Sequence, residues 1–114
     1  MNNSKLAGAI GFSMKAGKCA SGEFAADKAV KASKAYAVLV DVSASAATKK
    51  RWSGRCGAKR IPYVEVENLG GIIGKEARMV AAITDAAFSG MITRAYSDNN
   101  EIDHGGASLS LIHI

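Results

Sequence analysis

The chain has 114 residues, 48% of them hydrophobic but only 6% aromatic, and a formal net charge of +5 at pH 7. That length suits one domain with a core that needs no staples, packed mainly by alanine, valine and isoleucine. Cys19 and Cys56 stand far apart without CxxC spacing, and His104 and His113 both fall in the C-terminal tail, which argues against a zinc site and against a disulfide framework.

The charge is unevenly spread. All fifteen Lys and Arg lie within residues 1–95 against seven acids, a net +8, while the last nineteen residues carry three acids and no Lys or Arg. So basic a body attracts polyanions, and nucleic acid is the usual partner. No stretch reaches the ~18 apolar residues of a membrane span, and no signal-peptide pattern follows the start. A soluble cytoplasmic protein with two free, inert thiols is expected.

Along the chain, Leu6, Ile10 and Met14 recur every four residues, so residues 4–16 suit an amphipathic helix closed by Gly17 as a left-handed cap. After a short link, entered as an optional first strand, Ser21 or Gly22 opens a second helix to about Ser33. Its apolar side is alanine-rich (Ala25, Ala26, Ala29, Val30), and Asp27 and Lys31 stand in the favourable i,i+4 order. Residues 36–40 (YAVLV) form a continuous apolar run, as in a strand buried on both faces. Residues 43–58 read as a third helix with Trp52 and Cys56 beneath Lys49, Lys50, Arg51 and Arg55; Gly54 weakens it by roughly 1 kcal/mol relative to alanine. Pro62 leads a strand over 63–66, Asn68 suits the cap of a short turn (LGGIIG), residues 78–84 form a third strand, and Asp85 caps a helix to about Ala95. The order α-(β)-α-β-α-β-α-β-α is that of an α/β protein, a three-layer α/β/α sandwich. The aperiodic residues 97–114 are expected to form a disordered tail outside a domain of residues 1–96.

Enzymatic motifs fail on inspection. Gly17-Lys-Cys-Ala-Ser-Gly22 has the spacing of a phosphate loop, but Glu23 and Phe24 stand where Lys and Ser or Thr are required. Gly70 to Lys75 lacks the first glycine and the final hydroxyl of that motif and is no dinucleotide fingerprint. The body holds no histidine to act as a base and no serine or cysteine in a nucleophile motif, so neither catalysis nor a cofactor is expected. A helix beginning at Ser21-Gly22, with its outward N–H groups and Lys15, Lys18 and Lys28 nearby, suits an anion.

Three segments in order, IGFSMKAGKCASGE, KAVKASKAYAVLVDVSASAATKK and IPYVEVENLGGIIGKEARMVAAITDAAF, together resemble the ribosomal L7Ae/L30e superfamily of kink-turn RNA binders, in its bacterial YlxQ-type branch. The resemblance spans about residues 4–95 and implies a three-layer α/β/α fold around a small mixed sheet. It implies a non-enzymatic RNA-binding protein of ribosomal type that binds structured, kink-turn-like RNA, such as rRNA, through a helix N-terminus and an apolar loop. In kink-turn binders that helix opens with Gly, a small residue, Asn and Glu, followed by Lys, which meet the sheared G·A pairs. The glycine falls on Gly22 and the lysine on Lys28, whereas Asn and Glu are replaced by Phe24 and Ala25, with Glu23 between Gly22 and Phe24. The second contact loop falls on Leu69, Gly70, Ile72, Ile73 and Lys75, the isoleucines packing on an exposed base. Lys15, Lys18 and Lys31 would add salt-sensitive attraction. A monomer is expected, with ribosomal or RNA-processing proteins as further partners. A second reading makes it a protein-interaction module of the same fold, in translation or RNA processing, that has lost specific RNA readout; an exposed Phe24 beside Ile72 and Ile73 would serve it as an apolar patch.

Overall fold

Residue alternation along four strands sorts the hydrophobic side chains into two cores. The computed structural model describes residues 4–101, with side chains to Asp98. In chain order it contains α1 (Ser4–Lys15), β1 (Cys19–Ser21), α2 (Glu23–Lys31), β2 (Ala37–Asp41), α3 (Ala46–Lys59), β3 (Tyr63–Val66), α4 (Leu69–Ile73), β4 (Val80–Ile83) and α5 (Ala86–Glu101). Ala37, Leu39, Val64, Val66, Ala81 and Ile83 pack with Leu6 and Ile10 of α1, Leu69 and Ile73 of α4, and Ile92 and Tyr96 of α5. Their strand neighbours Val38, Val40, Tyr63, Val80 and Ala82 pack instead with Ala26, Ala29 and Val30 of α2 and Trp52 and Cys56 of α3. Successive strand residues point to opposite faces, so the sheet is covered on both sides. The result is the three-layer sandwich: α1, α4 and α5 on one side, α2 and α3 on the other.

The strand order is β1-β4-β2-β3, with β2 and β3 parallel and β4 antiparallel to β1 and β2. Strand β2 is buried along its whole length, which is why its sequence is uninterruptedly apolar up to Asp41. The pairings Ser21↔Ala81, Val40↔Val80 and Asp41↔Val66 bring the connections β1–α2, β2–α3, β3–α4 and α4–β4 to one end of the sheet.

Four helices end in left-handed caps. After α1, Gly17 (φ 74°) allows the N–H of Lys18 to reach Ser13 O at 2.8 Å. Gly74 does the same after α4 (φ 75°), as do Ser33 after α2 and Arg60 after α3, both at φ 59°. The last two are not glycine, and each accepts about 1 kcal/mol of backbone strain for satisfying the final carbonyls.

Differences from the sequence reading have local causes. The link after α1 is a true edge strand, since β1 hydrogen-bonds β4. Helix α3 starts three residues late because Ser45 is its cap, accepting from the N–H of Thr48 at 3.1 Å. It continues through Gly54 and Gly57 because Trp52 and Cys56 anchor it from below. Asn68 does not cap α4: it is itself left-handed (φ 57°) and makes no side-chain cap bond. Asp85 does cap α5, accepting from the N–H of Phe88 at 3.0 Å. That helix runs to Glu101, past Ala95 and into the segment expected as tail; the remainder, 102–114, lies outside the described residues. Among the described residues no helix is long and apolar enough to cross a membrane.

Candidate nucleic-acid interface

Gly22 hinges β1 to α2. Its N–H donates to Val80 O at 2.7 Å and its carbonyl accepts the first helical bond from Ala26 at 2.9 Å. The N–H groups of Glu23, Phe24 and Ala25 therefore lack partners within the helix and point out of its positive end. At φ 96° and ψ 156° Gly22 occupies a region that is essentially glycine's alone. It also leaves room for a cation: a Cβ there would lie 2.5 Å from Nη1 of Arg78 and 3.3 Å from its Cζ. The guanidinium of Arg78, in the connection between α4 and β4, thus lies over the backbone at the start of α2. Arg78 was not among the sequence candidates; its one signal was a cation two residues before β4, in the same connection as Lys75.

Helix α2 has three distinct faces. Ala26, Ala29 and Val30 are buried against the sheet. Glu23 and Asp27, one turn apart, face α3, where Arg51 Nη2 lies 2.6 Å from Glu23 Oε1 and Arg55 Nη1 lies 2.8 Å from Asp27 Oδ1. Lys31 Nζ approaches the other oxygen of Asp27 at 3.2 Å. The hydrogen bond from Lys31, aided by Arg55 and opposed by desolvation, holds the Asp27 carboxyl below its ordinary value. Exposed pairs of this kind add little stability; their consequence is that both acids of α2 are neutralised by arginine. The outward face is left to Phe24, 81% exposed, and to Lys28, which has no acidic partner among the described residues.

Helix α4 departs from the expected apolar loop. Leu69 and Gly70 are buried, Ile73 is 5% exposed and Ile72 is half-buried against the same core. Their hydrophobicity belongs to packing on the α1/α5 side of the sheet, so Leu69 and Ile73 do not offer side chains to a ligand. Of the patch expected from Phe24, Ile72 and Ile73, Phe24 alone is exposed, since Ile73 is buried and Ile72 half-buried. What α4 presents is its exit, where Lys75 is exposed and the N–H of Arg78 donates to Lys75 O at 2.9 Å.

Asp41 holds the start of α4. Its side chain, at the end of β2, accepts from the N–H of Leu69 at 2.7 Å through Oδ1 and from the N–H of Ser43 at 2.9 Å through Oδ2. The Ser43 hydroxyl adds a third bond of 2.5 Å. Burial pushes this carboxyl up, but the bonds from Ser43 and Leu69 and the charge of Lys49 outweigh it and hold it below the ordinary aspartate value. A strand-end carboxylate thus caps α4 in place of Asn68.

The expected site residues divide into groups. Gly22, Glu23, Phe24 and Lys28 gather at the sheet end that also holds Lys75 and Arg78. Lys18 lies at the opposite end of β1, its carbonyl accepting from the N–H of Thr84, and Lys15 ends the neighbouring α1. Four residues of extended chain, roughly 13 Å, separate Lys18 from Gly22. Lys31 is at the far end of α2, paired with Asp27. Burial raises both thiols, Cys56 to about 12, which keeps them protonated and unreactive. Among the described residues no cluster of His, Cys, Asp or Glu could hold a metal ion.

Known proteins resemble this chain in sequence and in fold. "RNA-binding protein YlxQ" of Bacillus subtilis (strain 168) is 39% identical over 83 residues, which are 70% of this chain and 83% of that protein. A solved structure of a protein of unknown function from Bacillus halodurans C superposes with a TM-score of 0.75 at 30% identity, covering 83% of this chain and 98% of that one. The Giardia lamblia 15.5kD RNA binding protein has the same fold, with a TM-score of 0.67 at 19% identity over 86% of this chain and 87% of its own. Residues 4–92, which hold all four strands and the whole cluster from Gly22 to Arg78, match one family profile, and the chain belongs to the Ribosomal protein L7Ae/L30e/S12e/Gadd45 family.

Proposed function

We propose that this protein binds structured RNA, of kink-turn-like form, at the sheet end where α2 begins and the α4–β4 connection returns. It acts there as a non-enzymatic, ribosomal-type binding protein in the cytoplasm. One observation carries the reading: the Arg78 guanidinium lies over Gly22, beside the outward N–H groups of α2, with Lys28, which has no acidic partner among the described residues, one turn further on. Backbone donors and two cations in that arrangement suit phosphate oxygens, which set position rather than sequence. The B. subtilis relative bears an RNA-binding name, and the chain belongs to the same fold family, which favours RNA over other polyanions. Phe24 and Ala25 occupy the places where kink-turn binders carry Asn and Glu to read base edges, and the Glu23 carboxylate of the first turn is taken by Arg51. Each missing edge contact forgoes ~1–3 kcal/mol of discrimination, so weaker and broader recognition is expected than in a full kink-turn reader.

The test is affinity against salt, measured by fluorescence anisotropy with a kink-turn hairpin. Replacing both Lys28 and Arg78 with alanine should weaken binding about tenfold or more and lower the salt slope by about two counterions. Replacing Lys15 and Lys18, at the other end of β1, should have the smaller effect. Equal losses from the two pairs would remove this assignment.

A further inference from the structure

Phe24 raises a question that phosphate binding does not answer. It is the most exposed large hydrophobic residue of the described chain, 81% accessible in the first turn of α2. Positions 24 and 28 lie on one helical stripe, with Cβ atoms roughly 5–6 Å apart. The side chains around them cannot supply hydrogen-bonding readout: Ala25 has no polar group, and the Glu23 carboxylate is held by Arg51 at 2.6 Å. The flanking acids are both paired with arginine and those charges cancel, so the unbalanced charge around the ring is that of Lys28 and Arg78. An uncovered aromatic face set among cations complements a nucleotide: the ring meets the base and an ammonium meets its phosphate.

We propose that Phe24 is a stacking platform for a single unpaired nucleotide, with Lys28 on the adjacent phosphate, so that the RNA is selected for an exposed base rather than for the edges of paired ones. This rests on the RNA-binding reading above and names the class of RNA that the same end of the molecule takes. A base offers its π-face whatever its identity, so recognition depends on the base being unpaired and tolerates its sequence. A duplex, whose faces are stacked internally, engages only the cations.

The experiment uses the full chain and two RNAs of equal length, a hairpin with one unpaired 2-aminopurine in an internal loop and a fully paired duplex. Wild-type protein should quench the 2-aminopurine fluorescence on binding. Phe24→Ala should abolish the quenching and weaken hairpin binding about tenfold while leaving duplex binding within twofold, as expected for loss of one base–aromatic stack worth ~1–3 kcal/mol. Phe24→Trp should retain both signals, and Phe24→Leu, apolar but without a π-face, should behave like alanine. Because the ring is exposed, all three variants should melt with the parent. If Phe24→Ala binds the hairpin as well as the parent while Lys28→Ala and Arg78→Ala weaken it, stacking is overturned, the RNA-binding reading stands, and the ring is left for a protein partner. If none of the variants changes affinity, both readings fall.

Discussion

Replacing Asp41 with alanine should destabilise the protein by about 2–4 kcal/mol, because it strips the acceptor from several donors at one buried position. The carboxylate is 6% exposed and satisfies the N–H of Leu69, the N–H of Ser43 and the Ser43 hydroxyl. Without it the first N–H of α4 is orphaned beneath the sheet end. For a domain of this size each kcal/mol shifts the midpoint by about 4–8 °C, so a fall of at least about 10 °C is anticipated. Asn at this position keeps one acceptor oxygen and should cost about half as much. The pH dependence follows from the depressed carboxyl. A group whose folded pKa lies below its unfolded value adds stability that is complete above about pH 4 and is lost as pH falls through the folded value. Urea melts should therefore show the parent converging on Asp41→Ala only below about pH 4. A difference under 1 kcal/mol at pH 7 would mean that Asp41 does not hold α4.

Gly70→Ala should be strongly destabilising although it adds a single methyl. A Cβ at this position would lie 2.5 Å from Glu76 O, 2.8 Å from Lys75 O and 2.9 Å from Glu76 C, all backbone atoms that cannot swing aside. The N–H of Lys75 also donates to Gly70 O at 2.8 Å, so helix and connection are locked together at this point. Forcing them apart should cost about 1–3 kcal/mol and shift Lys75 and Arg78 from their places. Gly71→Ala is the contrast. Its Cβ would meet only the Asn68 side chain, 2.5 Å from Nδ2, which can rotate away, and alanine favours the helix. Thermal melts and anisotropy on the pair should show Gly70→Ala losing stability and RNA affinity together, with Gly71→Ala close to the parent. The reverse order would contradict the close packing of α4 against residues 75–76.

Elements with a strong periodic or apolar signature were legible in the sequence. Residues 4–16, the run at 36–40, Pro62 before 63–66 and Asp85 before the last helix all fall within a residue or two of the observed elements. Three features were not fully legible, the first strand having entered only as an optional one. Strand β1 has only three residues and exists because β4 pairs with it. The cap of α4 comes from Asp41, 28 positions earlier, rather than from the adjacent Asn68. The left-handed ends at Ser33 and Arg60 carry no glycine to announce them.

The candidate site was legible only in part. Gly22 and Lys28 were readable from resemblance, and the structure adds why Gly22 must lack a side chain: its φ of 96° demands that, and a Cβ there would also displace the Arg78 guanidinium. Leu69 and Ile73 misled because apolar residues between glycines look the same whether they face a base or a core. Only the direction of α4, set by the Asp41 cap, separates the two cases. Arg78 was invisible because nothing local to it marks proximity to Gly22, 56 positions away in the chain.

Amide chemical-shift mapping during titration with a kink-turn hairpin tests the central claim most directly. The largest changes should fall on residues 22–28 and 74–79, the two segments that meet beneath Arg78. Changes concentrated on α1 and α5 instead, around Lys5, Met91 and Arg94, with residues 22–28 unmoved, would contradict it.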